Sequence, residues 1–181
     1  MTFGYTSKGP YPLQFPTPKI AGSWFTGAAG KLTAITVYIE ANWSGNKKVN
    51  VAIYKKSDNS LVAQATEQSL SDTTDDWITF DFPDIDITAQ DYFLVVLNED
   101  NIYYYGAVES GKSGSQTQVY GDFPATWSPV SDFIKYSIYA TYTPTSVSQI
   151  KKVSGVAIAS VKKISGVAIA SVKKVAGVSN V

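Results

Sequence analysis

The sequence predicts an all-β protein: an antiparallel β-sandwich of the jelly-roll type over residues 21–144, followed by a short repeated tail. Three observations predict it. Aromatic residues, which favour strands, make up 13% of the 181 residues. Turn-forming residues are frequent, with 13 Gly and 8 Pro. Apolar and polar residues alternate over short runs between turn clusters, and no segment carries a convincing helical pattern.

Residues 1–20 precede the first of these runs and contain four prolines, at positions 10, 12, 16 and 18. Proline fixes the backbone angle φ and lacks an amide hydrogen, so within sheets it is confined to edges and bulges. We therefore expect an extended N-terminal segment that lies over the domain along an edge.

Eight runs, separated by turn residues, are predicted as strands: 22–26, 32–39, 48–54, 61–65, 77–82, 92–97, 102–105 and 133–142. Residues 57–60 are predicted as a hairpin turn, and Pro83 is expected to end the strand before it. The continuously apolar run 92–97 is typical of a central strand buried on both faces. Long crossing loops favour a jelly roll over an up-and-down barrel.

A polar linker, 145–149, leads into a tail, 150–181, with a repeat of eleven residues: 150–160, 161–171 and a truncated copy 172–178. That period would suit a helical coil. The glycine and the β-branched residues of each copy disfavour a helix, however, and Ser-Gly between apolar residues is typical of a tight turn, so β structure is favoured.

So short an array cannot bury both of its faces, and we expect it to pack against other copies of the chain or against another protein. The residues predicted to mediate this attachment or oligomerisation are the apolar and turn positions of the repeat: Val153, Gly155, Val156, Ile158, Val161, Ile164, Gly166, Val167, Ile169 and Val172.

The composition argues against catalysis, because the chain contains no Cys, His or Arg. Thiol nucleophiles, Ser-His-Asp triads, common zinc sites and arginine phosphate clamps are therefore excluded. No run of 18 apolar residues is present, so no membrane span is expected. The first residues lack the features of a secretory signal, which would fit a protein released by cell lysis, as virion proteins are.

Charge is divided unevenly along the chain. Residues 1–149 hold 9 Lys and 15 acidic residues, whereas residues 150–181 hold 6 Lys and no acidic residue. The lysines either keep an apolar tail soluble or direct it to an acidic surface, which could be the sandwich itself. Because the tail has neither Arg nor aromatic residues, nucleic-acid binding is not expected.

Two parts of the chain resemble known families. Six segments together resemble a jelly-roll domain that recurs in phage-associated and surface proteins and is similar to carbohydrate-binding modules: 22–25, 48–54, 77–80, 91–96, 120–127 and 135–144. The tail, over 150–178, resembles short repeats at the ends of tailed-phage structural proteins. The resemblance implies a displayed domain and an attachment segment, and neither family supplies a catalytic motif.

Exposed aromatic side chains could stack on sugar rings of a host glycan. The candidates are Trp43, Tyr103, Tyr105 and Trp127, and packing in the core or at an edge is the alternative for each. The alternating side chains of a strand should place the tyrosine triplet 103–105 on both faces. Trp24 and Trp77, inside alternating strands, are expected in the core.

Two oxygen-rich loops could hold a structural Ca²⁺, which takes six to eight oxygen ligands. Their candidate ligands are Asp72, Asp75, Asp76, Asn98 and Asp100, and solvated turns are the alternative. The same carboxylates could in principle form a glycosidase pair, but no spacing supports one, and no cofactor is otherwise expected.

The sequence therefore predicts a non-enzymatic virion structural protein, such as a decoration, fibre or tail-associated subunit. Its tail would bind other virion proteins or other copies of the chain, and its location would be the virion or an extracellular surface. The alternative is a carbohydrate-binding module or adhesin domain of a cell-surface or secreted protein.

Overall fold

The computed structural model describes residues 1–41, 44–99 and 101–145, together with twelve strand residues of the tail. The chain divides into two compact units, Met1–Pro144 and Thr145–Val181. Across the described residues no helix occurs, so none could cross a membrane, and the strands pair antiparallel. The predicted all-β sandwich class is confirmed.

The described residues of the first unit form twelve strands. They are β1 Thr2–Gly4, β2 Tyr11–Phe15, β3 Lys19–Thr26, β4 Gly30–Ala41, β5 Lys47–Lys55, β6 Leu61–Gln64, β7 Gln68–Leu70, β8 Asp75–Ile87, β9 Asp91–Asn98, β10 Ile102–Thr117, β11 Val130–Tyr136 and β12 Ile138–Pro144.

These strands form two layers. The first layer has the order β8, β4, β12, β1, with β2 and the start of β10 beside the end of β4. The second layer has the order β11, β10, β3, β9, β5, and both β6 and β7 pair with β5. Strands β3, β4, β5, β8 and β9 thus alternate between layers along the chain, which is the crossing connectivity expected of a jelly roll.

Strand β10 connects the layers by changing partners along its length. Residues 102–104 pair with β4, whereas residues 113–117 pair with β3. The register with β11 shifts between Val108 and Ser113, and Gly111 in this stretch has a φ of 74°. Strands that pass from one sheet to the other use bulges or bends of this kind.

The principal core lies between the layers, and a second cluster covers the outer face of the second layer. Strand β9 contributes to both, because its side chains alternate. Tyr92, Leu94 and Val96 enter the principal core, and the odd-numbered residues 93–97 enter the second cluster. Burial of β9 on both faces, as predicted, is confirmed.

The loop 118–129 forms the second cluster by folding onto β5 and β9. Phe123 and Trp127 are buried there against Tyr54 and Phe93, with the ring centroids of Trp127 and Phe93 4.9 Å apart. The Tyr54 hydroxyl donates to the carbonyl of Pro124 over 2.8 Å. This loop turns one outer face of the sandwich into a second core.

Three predicted strand boundaries were wrong. The strand predicted over 102–105 continues to Thr117 as β10, because its second half pairs with β3 and β11 in the other layer. Strand β8 continues through Pro83 to Ile87, because β8 pairs with β4 alone and its register shifts between Leu32 and Ala34 on that partner. An edge strand with a bulge accommodates a residue that cannot donate. The run 133–142 is divided at Ser137, whose amide donates to the carbonyl of Tyr105 over 2.7 Å.

The N-terminal twenty residues contribute two strands to the sandwich. Strand β1 pairs with β12, and β2 pairs with the start of β10. Strands β1 and β2 are extended and lie at the edge of the first layer, and the last two of the twenty residues begin β3.

The tail contains three separate two-stranded antiparallel sheets: β13 Lys152–Val153 with β14 Val156–Ala157, β15 Lys163–Ile164 with β16 Val167–Ala168, and β17 Lys174–Val175 with β18 Val178–Ser179. In each, the innermost paired residues enclose two sequence positions, which themselves lie outside the described residues. The predicted attachment positions Gly155, Ile158, Val161, Gly166, Ile169 and Val172 lie outside the described residues.

Candidate functional site

The outer face of the first layer carries a group of aromatic and charged side chains. We call Tyr38, Trp77, Tyr105 and Tyr139 the aromatic face. On β4, the odd-numbered residues 35–39 enter the principal core, so Tyr38 points outward. Tyr38 pairs with Trp77 of β8, and Tyr139 of β12 pairs with Thr36, the next outward residue of β4. Register alone therefore places residues from distant parts of the chain on one surface.

The four rings form a continuous row. Tyr38 contacts Trp77 and Tyr105 in edge-to-face geometry, with centroids 5.4 Å apart in both pairs. Trp77 contacts Tyr139 at the same distance. Tyr38 is only 9% exposed and forms the floor, whereas the other three rings are half-buried. The row is open to solvent at Trp77, Tyr105 and Tyr139.

Two carboxylates are held beside the row by tyrosine hydroxyls. The Tyr38 hydroxyl donates to Asp75 Oδ1 over 2.7 Å, and the Tyr105 hydroxyl donates to Glu40 Oε2. These bonds use one oxygen of each carboxylate, so the second oxygen can accept a hydrogen bond from a ligand. The face thus offers oriented acceptors next to exposed rings.

Lys8 neutralises part of this negative charge. Its ammonium group donates to the Tyr38 hydroxyl over 3.0 Å and lies 3.5 Å from Asp75 and 4.0 Å from Glu40. It also lies 4.4 and 4.1 Å from the ring centroids of Tyr38 and Tyr105, within the range of cation–π attraction. One cation is therefore held among two rings and two carboxylates.

The segment around Lys8 is fixed by backbone contacts. The amide of Tyr5 donates to the carbonyl of Ile138 over 2.9 Å, and the amide of Gly9 donates to Ser137 Oγ over 2.8 Å. Gly9 lies so close to Gly106 that a Cβ added at Gly9 would be 2.1 Å from the Gly106 carbonyl carbon. Glycine is required there because the two backbones touch.

The contacts keep Lys8, Tyr38 and Tyr105 each in one protonation state at neutral pH. The bond to the Tyr38 hydroxyl, together with the negative charge of Asp75, raises the pKa of Lys8 above its usual value, although burial opposes this. Burial, followed by the bond to Asp75, raises the pKa of Tyr38, although Lys8 opposes this. The bond to Glu40 raises the pKa of Tyr105. Lys8 is therefore charged, and both tyrosines are neutral donors.

The predicted glycan-binding residues differ in their burial. Tyr103 and Tyr105 are half-buried on the outer side, while Tyr104 between them is fully buried, as alternation requires. Trp127 is fully buried in the second cluster, so its assignment as an exposed stacking residue was wrong. Trp43 lies outside the described residues.

Sequence reasoning missed the two tryptophans that border open surface. Trp77 and Trp24 were expected in the core, but both are half-buried on outer faces. For Trp77 a signal was present, since Ile78 and Phe80 occupy the alternate positions and pack in the core. A period of two separates the residues on the two faces of a strand. Residues 78, 80 and 82 form the more apolar set and should have been assigned to the core.

The calcium hypothesis gains no support. In the described parts of the chain, no group of three or more acidic side chains is arranged to hold a metal ion. Asp75 is bound to Tyr38, and Asp76 accepts from the amide of Trp77. Asp72 is exposed and accepts from the amide of Gly45 over 3.4 Å. Each of these carboxylates thus has a protein partner, and Asp75 and Asp76 lie in strand β8 and not in the predicted loop.

Two remaining candidate ligands are not in a described loop. Asn98 is the last residue of β9 and is fully buried, with its Nδ2 donating to the carbonyl of Phe15 over 3.4 Å. Its placement in an exposed loop was therefore wrong. Asp100 lies outside the described residues.

Fold and surface together define a class: an antiparallel β-sandwich with one outer face covered by its own loop and the other lined by rings and fixed carboxylates. No known protein family matches the chain, and no curated protein matches its sequence significantly.

Proposed function

We propose that this chain is a non-enzymatic structural protein of a tailed-phage-like virus particle: a decoration, fibre or tail-associated subunit. The sandwich is the displayed body, and the tail attaches it to the particle or to other copies. The observation that carries the proposal is the division into two units of different construction, Met1–Pro144 with its own cores and Thr145–Val181 with repeated hairpins.

The construction of the tail favours association over independent folding. A single two-stranded hairpin is at best marginally stable in water, and here the paired strands have two residues each. Repeated units gain stability by stacking on neighbours. Nearly identical copies at a period of eleven would present the same surface to each neighbour, which suits an ordered assembly.

Mass photometry of the full chain and of a truncation after Pro144 tests the role of the tail. We expect the full chain to form oligomers and the truncation to be a monomer. A full-length variant with Val153, Val156, Ile164 and Val167 changed to Ser keeps all six tail lysines. It should behave like the truncation if apolar packing, not charge, drives assembly.

If the full chain is also monomeric, self-association is wrong, and the tail must dock on another protein. The virion assignment is tested separately by mass spectrometry of purified particles and by the neighbouring genes. Capsid or tail genes beside this one would support it, whereas genes for secreted enzymes would contradict it.

A carbohydrate-binding module is the second candidate function, and the aromatic face favours it. The half-buried rings of Trp77 and Tyr105 suit the apolar faces of neutral sugars. The oriented carboxylate of Glu40 suits their hydroxyl groups. Lys8 offsets one of the two carboxylate charges there, so the face keeps one net negative charge and suits a neutral ligand better than an acidic one.

A neutral-glycan array probed with the full chain tests this second function. Trp77→Ala should abolish binding, because it removes the half-buried ring that borders Tyr139. Phe133→Ala is the matched control, since Phe133 is an aromatic residue 67% exposed on β11. Equal loss in both variants, or no binding by the wild type, would reject the carbohydrate-binding function.

A further inference from the structure

The pairing of β4 with its neighbours arranges the outer face of the first layer in rows across the strands. Glu40 of β4 lies directly opposite Asp75 of β8 on one side and the half-buried Tyr103 of β10 on the other. Side chains of directly opposed residues lie next to each other on the same face of a sheet. These three residues therefore form one row, which we call the acidic row.

Three rings of the aromatic face form a second row beside the acidic row. Two residues before Glu40 on β4, Tyr38 lies opposite Trp77 and contacts Tyr105 on its other side. Residues two apart in a strand are about 6.7 Å apart, and neighbouring strands are about 4.8 Å apart. The three rings therefore span about 10 Å across the strands, with the acidic row along one side of them.

The other side of the three rings carries uncharged side chains. Thr36 and Thr79 lie opposite each other on β4 and β8, and their hydroxyl oxygens are 2.9 Å apart. Tyr139 of β12 lies opposite Thr36 on the other edge of β4. A ligand that lies over the rings, across the strands, would therefore have carboxylates along one side and neutral hydroxyl groups along the other.

The charge of the acidic row is not balanced. Like charges directly opposite each other on neighbouring strands destabilise a sheet, and Glu40 and Asp75 are placed in this way. Among the described residues, Lys8 alone forms ion pairs with them, at 4.0 and 3.5 Å. One ammonium group thus offsets two carboxylates. Local conflicts of this kind are expected at functional sites, where a ligand can relieve them.

Both carboxylates can accept from a ligand without losing their present contacts. Asp75 uses Oδ1 for the Tyr38 hydroxyl and for Lys8. Glu40 uses Oε2 for the Tyr105 hydroxyl and for Lys8. In the described part of the chain, Asp75 Oδ2 and Glu40 Oε1 have no partner. The two side chains are 58% and 36% exposed, so a ligand on the rings can reach them.

Building on the carbohydrate-binding function proposed above, on which this step rests, we propose that the ligand is an oligosaccharide of amino sugars lying across the strands. Its rings stack on Trp77 and Tyr105, and its ammonium groups donate to Asp75 and Glu40. An amino sugar carries its ammonium group directly on the ring. A sugar stacked on Tyr105 therefore places that group near the rim of the tyrosine ring, where the hydroxyl holds the carboxylate of Glu40. A basic peptide is less suited, because a lysine side chain has no flat face to stack.

Isothermal titration of the full chain with chitosan hexasaccharide and with cellohexaose tests the proposal, because the two ligands share one backbone and differ in an ammonium or a hydroxyl group on each ring. The test variant is Asp75→Asn with Glu40→Gln, which keeps an oxygen for each tyrosine hydroxyl. The matched control, Asp81→Asn with Asp84→Asn, removes the same charge from the same strand. Asp81 is four residues from Trp77, about 13 Å along β8 and beyond the screening length in physiological salt. Equal thermal midpoints would verify that all variants fold.

At a pH where the sugar amines are charged, we expect the wild type to bind chitosan hexasaccharide about fivefold more tightly than cellohexaose, since each exposed ion pair contributes only modestly. The test variant should lose this preference and keep its affinity for cellohexaose within about twofold, whereas the control should keep the preference. Above the pKa of the sugar amines, the preference should disappear in the wild type.

The outcomes separate this proposal from the carbohydrate-binding function. Equal binding of the two hexasaccharides by the wild type would overturn the amino-sugar assignment and leave carbohydrate binding in place. No binding of either hexasaccharide would reject both. A preference that survives in the test variant, a preference lost equally in the control, or equally tight binding of a lysine hexapeptide would each overturn the assignment.

Discussion

Trp127 provides a direct test of whether loop 118–129 is part of the folded core. Its exposed fraction is 0%, and its ring contacts Phe93 and Tyr54 with centroids 4.9 and 5.9 Å away. Its amide donates to the carbonyl of Asn59 over 3.0 Å. Trp127→Ala should therefore act on stability.

The expected loss follows from these contacts. Removing a buried tryptophan costs about 3–5 kcal/mol of unfolding free energy, including the aromatic pairs. One effect acts in the opposite direction: Trp127 Nε1 has no hydrogen-bond partner among the described residues, and a buried unsatisfied donor costs about 1–3 kcal/mol. The variant no longer bears that cost, so we expect a net loss of about 2 kcal/mol, the difference between the central values of the two effects.

Urea unfolding of the full chain, followed by circular dichroism, measures this loss. The thermal midpoint should fall by roughly 4–8 °C for a chain of this size. Trp127→Phe keeps a ring against Phe93 and removes the unsatisfied N–H group, so it should lose only about 1 kcal/mol. A loss below about 1 kcal/mol for Trp127→Ala, or equal losses in both variants, would refute the second core.

Three further predictions follow from other contacts. Gly22→Ala would place a carbon atom 2.0 Å from a backbone oxygen of β9, so we expect a loss of about 1–3 kcal/mol or more in urea unfolding. Burial raises the pKa of Tyr104 well above 10. The stability of the fold should therefore be constant with respect to this group below pH 10 and should fall as the pH rises above 10, where the unfolded chain ionises first. Absorbance at 295 nm should show that Tyr104 ionises late and steeply. The bonds from Lys48 and Tyr120 lower the pKa of Glu67 below 4.5, so this stabilisation is present above pH 4.5 and lost as pH falls through the lowered value. The difference in urea midpoint between wild type and Glu67→Gln should therefore shrink in acid, and a constant difference would contradict the role of this carboxylate.

The predicted elements succeeded where local residues decide the backbone. Residues 57–60 form the expected hairpin turn, because Asn59 adopts a φ of 55° and Asp58 accepts from the amide of Ser60 over 3.0 Å. In the tail, the described residues pair as short antiparallel strands, as the β-branched residues of the repeat favour. The prediction that Pro83 ends its strand was wrong. Whether a proline ends a strand depends on whether the second edge of that strand has a partner, and β8 pairs with β4 on one edge only.

The candidate site was predictable only in part. Alternation places Tyr103 and Tyr105 opposite Tyr104, and that was evident in the sequence. The residues that bind Tyr38 and Tyr105, namely Lys8, Glu40 and Asp75, were not evident in the sequence. They come from separate parts of the chain, and only the pairing of the strands and the path of the N-terminal segment bring them together. Lys56 and Lys112, whose ammonium groups lie over the ring of Trp24, likewise come from the turn after β5 and from the bulge in β10.

The sequence by itself determined the all-β class, the turns and the repeated hairpins, because these depend on side-chain period and on residues that favour particular backbone angles. Only the tertiary structure decided which aromatic residues meet solvent. A strand pattern separates its two faces but does not reveal whether a distant loop covers one of them. Loop 118–129 covers the second layer and buries Trp127, and no such loop closes the described part of the outer first layer, where Trp77 is half-buried.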